Sequence, residues 1–482
     1  MSNSNKMSAM DRITSILDDN SFVEIGAGVS ARATNFNLQE KAAPSDGVIT
    51  GYGVINGSLV YIYSQDAAVL NGSIGEMHAK KIARIYDLAL KMGAPVIGLI
   101  DSTGLRLQEG TDALNGFGSI YAKQNLASGV IPQITAVYGK CGGGLAVLTA
   151  MSDFTFMEDD AKLFVNSPNA VDGNFEGKLD TASAQFQAEN GNVDFTGDEE
   201  TIANAIRQLV SILPANNDDE AEYLDSQDDL NRETPDMEAE IADPALALED
   251  IADDGLFLEI KSEFAKEMVV GFLKVNGATI GAVANRAATF DEEGNKAEEF
   301  APVLTVDGAY KAESFIKFCD AFEIPILSLT SVEGFCSCER AERAIAKAAA
   351  KLAFAFADAS VPKVNIITGK SFGSAYTIMN SQALGCDLTY AWPSASIGMM
   401  DATAAAKIMY ADEIDSAADV QEKLREKASE YAALQSGIEQ AAARGYVDTI
   451  IDPADTRKYV AAAFEMLYSK AEDRPLKKHG TV

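Results

Sequence analysis

Residues 94 to 157 and 324 to 387 repeat one pattern at a constant offset of 230, matching Pro95 with Pro325, Gly104 with Gly334, Pro132 with Pro362, Gly139 with Gly369, Lys140 with Lys370 and Gly143 with Gly373. Six identities in one register indicate two copies of a single folding unit. Each copy opens on an amphipathic helix (Ile82 to Met92; Ala312 to Phe322). An apolar strand, a Gly turn, a second helix, a second strand and a Gly-rich loop follow. The loops read Gly139-Lys140-Cys141-Gly142-Gly143-Gly144-Leu145 and Gly369-Lys370-Ser371-Phe372-Gly373-Ser374-Ala375. A strand that ends in small residues and enters a helix leaves free N–H groups aimed at one point. Two such points lead to the expectation of a bipartite active site.

Length and charge bound the rest. With 482 residues, 47% apolar content and 37 glycines, the chain can build two domains with substantial cores. A formal charge of −33 disfavours nucleic acid or an anionic membrane surface as a partner. The first twenty residues are polar and carry Asp11, Asp18 and Asp19, and the apolar strands break at Asp101 and Thr330, so a cytoplasmic protein is expected. The five cysteines form no regular framework and are expected as reduced thiols. Cys336 and Cys338 are a lone C-x-C pair, and the only histidines are His78 and His479, so no metal site is expected.

Along the chain, residues 8 to 24 read as an entry helix ending in Phe22-Val23-Glu24. Asn56-Gly57 and Asn276-Gly277, each flanked by apolar runs, predict hairpins. Their offset is 220, so copy two has gained ten residues between hairpin and helix, assigned to Asp291 to Glu299. Asn216 to Asp254 holds sixteen acidic residues against a single Arg232 and reads as a solvated connector. Ala245-Leu246-Ala247-Leu248 within it reads as a short helix on the domain surface. Alternating strands and crossover helices predict an α/β fold, twice over, divided at 235/236.

For a single Gly-rich loop, a tight strand-to-helix turn explains the glycines as well as a ligand does. Smallness at Gly143-Gly144 and, in register, at Gly373-Ser374, extended by Ala375, favours the ligand. Adjacent N–H groups at a helix start can stabilise an oxyanion, at about 2.7–4 kcal/mol per donor. No Ser or Cys nucleophile lies beside a histidine, and no G-x-x-x-x-G-K-[ST] loop occurs. His78 reads as a surface or capping residue.

Asp101-Ser102-Thr103-Gly104-Leu105-Arg106-Leu107-Gln108-Glu109-Gly110, Cys141-Gly142-Gly143-Gly144, Gly373-Ser374-Ala375-Tyr376 and Tyr390-Ala391-Trp392-Pro393 together resemble the biotin-dependent acyl-CoA carboxyltransferases. That family includes propionyl-CoA carboxylase β subunits and the carboxyltransferase subunits of sodium-pumping decarboxylases. The resemblance runs nearly end to end and implies two tandem crotonase-like domains: residues 1–235 on the acyl-CoA side, residues 236–482 on the biotin side. It implies an enzyme that moves a carboxyl group between an acyl-CoA carbon and N1 of biotin carried on a separate protein. The thioester enolate would lie under the N–H groups of Gly143 and Gly144, and the biotin ureido oxygen under those of Ser374 and Ala375. Gly104, Gly142, Gly373, Tyr376 and Thr377 would line the two sides, and Arg32, Lys41 and Arg106 would meet the CoA phosphates. A homo-hexamer is implied, with a biotinyl carrier protein and either membrane decarboxylase or biotin carboxylase subunits as partners; a sodium-pumping decarboxylase is placed first.

Ala89-Leu90-Lys91-Met92 is similar to the Met-Lys-Met turn on which biotin is attached, but Lys91 ends a helix and reads as an exposed lysine. The chain departs from the family pattern at Thr103, Leu105, Glu333, Asp401 and Gly437-Ile438-Glu439. These departures keep two rivals in view, a non-catalytic scaffold and a crotonase-type hydratase or hydrolase, the latter with Glu109 as its one placeable carboxylate.

Overall fold

In the computed structural model, which describes residues 6–32, 36, 43–167, 180–219, 226, 228–291, 293–475 and 479–480, both Asn-Gly pairs turn a hairpin. Val48–Ile55 pairs antiparallel with Ser58–Gln65, and Met268–Val275 with Ala278–Asn285. Asn56 and Asn276 take φ of 50° and 53°, the left-handed backbone that such two-residue turns need. Both turns are clamped in the same way. Asp18 accepts the N–H groups of Asn56 (3.1 Å) and Gly57 (3.2 Å) and pairs with Arg207 (2.8 Å). Asp253 accepts those of Asn276 (3.1 Å) and Gly277 (2.7 Å) and pairs with Arg457 (2.7 Å). Each arginine comes from the last helix of its copy, Glu199–Ile212 or Thr456–Leu467. The duplication therefore extends beyond the stretch in which identities can be read.

Two units result: Met1–Glu220 with Lys261–Phe264, and Ala221–Ile260 with Ala265–Val482. In the first, the main sheet runs Val23–Glu24, Val48–Ile55, Ser58–Gln65, Val96–Ser102, Gln133–Gly142, Phe154–Glu158, Phe195–Gly197. In the second, the corresponding order is Phe257–Ile260, Met268–Val275, Ala278–Asn285, Ile326–Thr330, Lys363–Ile367, Leu388–Ala391, Thr449–Ile450. The first three strands of each sheet are antiparallel and the remainder join in parallel. Parallel strands covered on both faces need continuous apolar runs. Val96–Ile100 and Ile326–Thr330 are buried throughout.

The helices preceding these strands span Glu76–Met92 and Val306–Ala321, longer at their starts than the periodicity suggested. They bury Ile82, Ile85, Tyr86 and Ala89 in the first unit and Ala309, Ala312, Phe315, Ile316 and Cys319 in the second. Gly93, at φ 61°, ends the first one and Pro95 leads into the strand. Lys91 lies in its last turn, as read.

Three expectations change. The entry helix is only Ala9–Ile16, and Val23–Glu24 is an edge strand paired with Gly51 and Tyr52. The added segment of copy two is a hairpin of its own, Ala288–Phe290 against Lys296–Glu299. The acidic stretch is not simply a solvated connector. Its helix Pro244–Ile251 places Ala247, Leu248 and Ile251 in the core of the second unit at 0% exposure. Asp243 caps that helix and pairs with Arg286 at 2.7 Å, while Asp253 clamps the hairpin. These carboxylates are used within the second unit, so the division falls at 220/221, ahead of 235/236. Among the described residues no helix is long and apolar enough to cross a membrane.

Candidate active site

Both Gly-rich loops begin with a glycine that side-chain traffic demands. A Cβ on Gly139 would lie 2.0 Å from Asp101 Oδ1, and one on Gly369 would lie 2.6 Å from Ser331 Oγ. Asp101 and Ser331 are themselves related by the offset of 230. In each unit the side chain leaving one strand end crosses the next strand, which only glycine permits. Asp101 is fixed by Arg12 (3.1 Å), which is buried, pairs also with Glu199 (3.2 Å) and lies over the Tyr138 ring.

In the first loop, Gly142 faces the Phe164 ring, which a Cβ would meet at 2.8 Å. Gly143 has φ 63° and donates its N–H to the Phe164 carbonyl at 2.9 Å. Gly144 then opens the helix Gly144–Ala150, which has no side-chain cap. Its N–H is one of the donors that a helix start leaves without an internal partner, and the residue is exposed. Tyr121 Oη donates to the Gly144 carbonyl at 2.6 Å and fixes the peptide that follows. Of the two amides expected to act as a pair, one is thus already engaged and one is open.

The second loop follows the same course. Gly373 has φ 62°, Ser374 is exposed, and the helix Gly373–Ile378 carries no side-chain cap. Ala375 is fully buried, so Ser374 presents the open N–H here. Gly144 and Ser374 are equivalent positions at the offset of 230. Thr377 is exposed and donates from Oγ1 to the Gly373 carbonyl at 3.4 Å. Tyr376 is half-buried, and burial pushes its phenol up to about 12. An uncapped helix-start N–H on an exposed residue beside a glycine suits a small anionic or carbonyl-type oxygen.

The turn from Asp101 to Gly110 is brought against the first loop. Gly104, at φ 96°, lies beside the Gly142 carbonyl, which a Cβ would meet at 3.6 Å. Its carbonyl accepts the Ile74 N–H at 2.9 Å. Gly334 in copy two has no such left-handed backbone and sits in the short strand Gly334–Phe335. The shared glycine therefore serves different turns.

Arg106 does not reach any phosphate-sized opening. It is 2% exposed, donates to Ser73 O (2.6 Å), Ser73 Oγ (3.2 Å) and Glu109 Oε1 (2.8 Å), and pairs with Asp46. Glu109 in turn accepts the Glu76 N–H at 2.6 Å, at the start of the long helix. The carboxylate that a hydratase reading needs is thereby committed to structure. His78 is buried in the same cluster and not at a surface: Nδ1 lies 2.9 Å from Asp46 O and Nε2 3.2 Å from Gln65 Nε2. Burial holds its imidazole down at about 3, so it is neutral, with Nδ1–H donating and Nε2 accepting.

Arg32 pairs with Glu76 (2.6 Å) and Asp112, and Lys41 lies outside the described residues. The cations beside the first loop are others. A cavity of about 350 Å³ lies against Ser102, Thr103 and Gly139 and is lined by Lys6, Lys140 and Lys162 together with Asp101 and Asp160. Lys6 and Lys162 each have one carboxylate partner, Glu158 (3.3 Å) and Asp180 (2.8 Å). Lys140 is exposed. Its position next to Gly139 in the repeat was the available signal.

Residues 2–482 match the carboxyl transferase domain family. The chain is 38% identical over 494 residues to the methylmalonyl-CoA decarboxylase subunit alpha of Propionigenium modestum, covering 99% of this chain and 93% of that one. It is 40% identical over 487 residues to a putative propionyl-CoA carboxylase beta chain of Bacillus subtilis, covering 99% and 94%. Its structure resembles a crystal structure of the transcarboxylase 12S hexamer with methylmalonyl-coenzyme A and methylmalonic acid bound, at TM-score 0.91 and 35% identity, over 98% of this chain and 92% of that one.

Proposed function

Since this chain belongs to the carboxyl transferase domain family and is a biotin-dependent acyl-CoA carboxyltransferase, we propose that it moves a carboxyl group between propionyl-CoA and a biotin carried on a separate protein. Its two α/β units are tandem crotonase-like domains. Support for the acyl pair comes from the relatives: their names specify methylmalonyl-CoA or propionyl-CoA, whichever direction they work in. Direction follows from the partner. A membrane decarboxylase subunit would draw the carboxyl group away, and a biotin carboxylase subunit would supply it.

The observation that carries this reading is the equivalence of Gly144 and Ser374, each an exposed N–H after a left-handed glycine at an uncapped helix start. Gly144 N–H donates to the thioester oxygen, where negative charge collects when the α-carbon gains or loses its carboxyl group. Ser374 N–H donates to the ureido oxygen of biotin. Bound biotin supplies the ring nitrogen that holds the carboxyl group in transit. Main-chain donors are fixed in place and cost no reorganisation at the moment of transfer. Holding the two reactants face to face adds an orientation term of up to about 7–11 kcal/mol. Lys140, exposed on the cavity that Lys6 and Lys162 also line, is the lysine placed to meet a CoA phosphate.

By analogy with the 12S hexamer, a homo-hexamer in which loops of different subunits face each other is the proposed working state. Incubation with free biotin and, separately, methylmalonyl-, malonyl- or glutaconyl-CoA, following release of the acyl carboxylate, tests the proposal. Methylmalonyl-CoA should react fastest and yield propionyl-CoA. No release from any of the three would overturn it.

A further inference from the structure

The cysteines divide by environment. Cys141, Cys319 and Cys386 are buried, and burial pushes the Cys141 and Cys386 thiols up to about 12, which leaves them inert at neutral pH. Cys336 is half-buried and Cys338 exposed. Their sulfurs lie 3.7 Å apart, with the Cys336 S–H directed at Cys338 Sγ. Cys338 Sγ also accepts the Ala341 N–H at 3.4 Å. That N–H, the Cys336 thiol and the adjoining Arg340 hold the Cys338 thiol below its ordinary range, while the contact with Cys338 raises that of Cys336. The pair thus contains one accessible sulfur biased toward thiolate and a second sulfur in contact with it.

The segment that carries the pair also supports the second Gly-rich loop. Cys336 N–H donates to the Leu304 carbonyl at 3.0 Å, continuing the pairing of Gly334–Phe335 with Val303–Leu304. Six residues before Cys338, the Val332 carbonyl accepts the N–H of Phe372 at 2.9 Å. Phe372 immediately precedes Gly373. A disulfide needs its sulfurs about 2.05 Å apart, so closing the pair draws the two Sγ atoms together from 3.7 Å within the segment whose Val332 carbonyl holds Phe372.

We propose that Cys336 and Cys338 are a reversible redox-modification site, a dithiol that low-molecular-weight disulfides oxidise to an intrachain disulfide, and that its closure is transmitted through Val332 to the second glycine loop. The transmission rests on the role assigned to that loop; the modification site does not. In the first step the Cys338 thiolate attacks one sulfur of the small disulfide, whose S–S bond breaks and releases one thiolate, protonated by solvent. Cys336 gives its proton to solvent and attacks Cys338 Sγ, forming the intrachain bond and expelling the second small thiolate. Two protein thiols are oxidised by two electrons, and one small disulfide is reduced to two thiols.

The test equilibrates the full chain in glutathione buffers of stepped thiol-to-disulfide ratio, followed by acid quench, alkylation and intact and peptide mass measurement. The expected result is loss of about two mass units and of both alkylation sites, reversed by dithiothreitol, as one bond joins the two cysteines. Cys336→Ser and Cys338→Ser should abolish that loss and leave a single glutathione adduct at the remaining thiol. Free thiols across the whole series, or two separate glutathione adducts on the wild type, would overturn the site. Carboxyl transfer to free biotin should fall at least threefold on oxidation in the wild type and be unchanged in the double serine variant. Disulfide formation with no change in rate would overturn the transmission. A reduced protein with no transfer activity would count against the function proposed above and leave the mass result to decide the site.

Discussion

Gly143 donates its N–H to the carbonyl of Phe164 at 2.9 Å, so the residue that shapes the first loop is not the residue that offers a donor. Its backbone, at φ 63°, turns the chain so that Gly144 begins the helix with its own N–H open. Gly373, at φ 62°, likewise precedes an exposed small residue, Ser374, although the helix there begins at Gly373 itself. A left-handed glycine followed by an exposed small residue at an uncapped helix start is the common feature of the two loops.

Alanine at either shaping glycine should separate folding from transfer. A Cβ at Gly143 meets nothing within 4 Å, so Gly143→Ala should cost only the backbone strain of φ 63°, ψ −125°, about 1–3 kcal/mol. At Gly373 the Met399 carbonyl lies 3.2 Å from the added carbon, a tighter fit. Both variants should fold with slightly lowered melting temperatures, while transfer to free biotin falls more than about tenfold because the helix start is re-aimed. Calorimetry beside steady-state kinetics measures the two effects together.

Gly139 and Gly369 should respond unequally. Gly139→Ala drives a carbon against a carboxylate that Arg12 holds in place, and should destabilise the protein by about 1–3 kcal/mol. Gly369→Ala meets the Ser331 hydroxyl, which can rotate, and Ser331 Cβ at 3.3 Å, and should cost about 1 kcal/mol, less than Gly139→Ala. Denaturant unfolding of both variants gives the comparison.

The two hairpin clamps differ in burial, with the Arg457 side chain at 0% exposure and that of Arg207 at 26%. Arg457→Met strands Asp253 inside the second unit and should cost about 3–5 kcal/mol. Arg207→Met removes a partly solvated pair and should cost about 1 kcal/mol or less. Equal losses in chemical denaturation would show that burial does not set the difference.

The duplication, the hairpins and the parallel strands were legible because each depends on local signals: Asn-Gly turns, Pro-led apolar runs and glycines at fixed spacing. What escaped depends on distant partners. Phe164 lies twenty-one residues beyond Gly143, and nothing near Gly143 announces that its N–H is spoken for. The family resemblance puts Arg106 at the CoA phosphates, yet Asp46, Ser73 and Glu109 converge on it. The acidic stretch read as a connector because Asp243 and Asp253 find their arginines at 286 and 457. Of the donors, Gly144 and Ser374 were legible as small residues in register, but the hydrogen bond to Phe164 is what sets Gly143 apart and burial is what sets Ala375 apart.

His78 predicts how stability depends on pH. Its folded pKa, about 3, lies below the ordinary value of 6.5, so below pH 6.5 the unfolded chain binds the proton first. The contribution is present in full above 6.5 and is lost as pH falls toward 3. His78→Gln removes this titration. The gap in unfolding free energy between wild type and variant should therefore shrink steadily from pH 7 to pH 4. A gap independent of pH would contradict a neutral buried imidazole.

The open amide of Ser374 gives the most direct measurement. Proline is tolerated in the first turn of a helix but has no N–H, whereas alanine keeps the N–H and discards the hydroxyl. Transfer from methylmalonyl-CoA to free biotin is measured for Ser374→Ala and Ser374→Pro, with melting temperature and acyl-CoA binding recorded for both. Ser374→Ala should stay within a few-fold of the wild type, and Ser374→Pro should lose about 10²–10³ in kcat with acyl-CoA binding retained. Equal activity of the proline and alanine variants, both folded, would contradict the account.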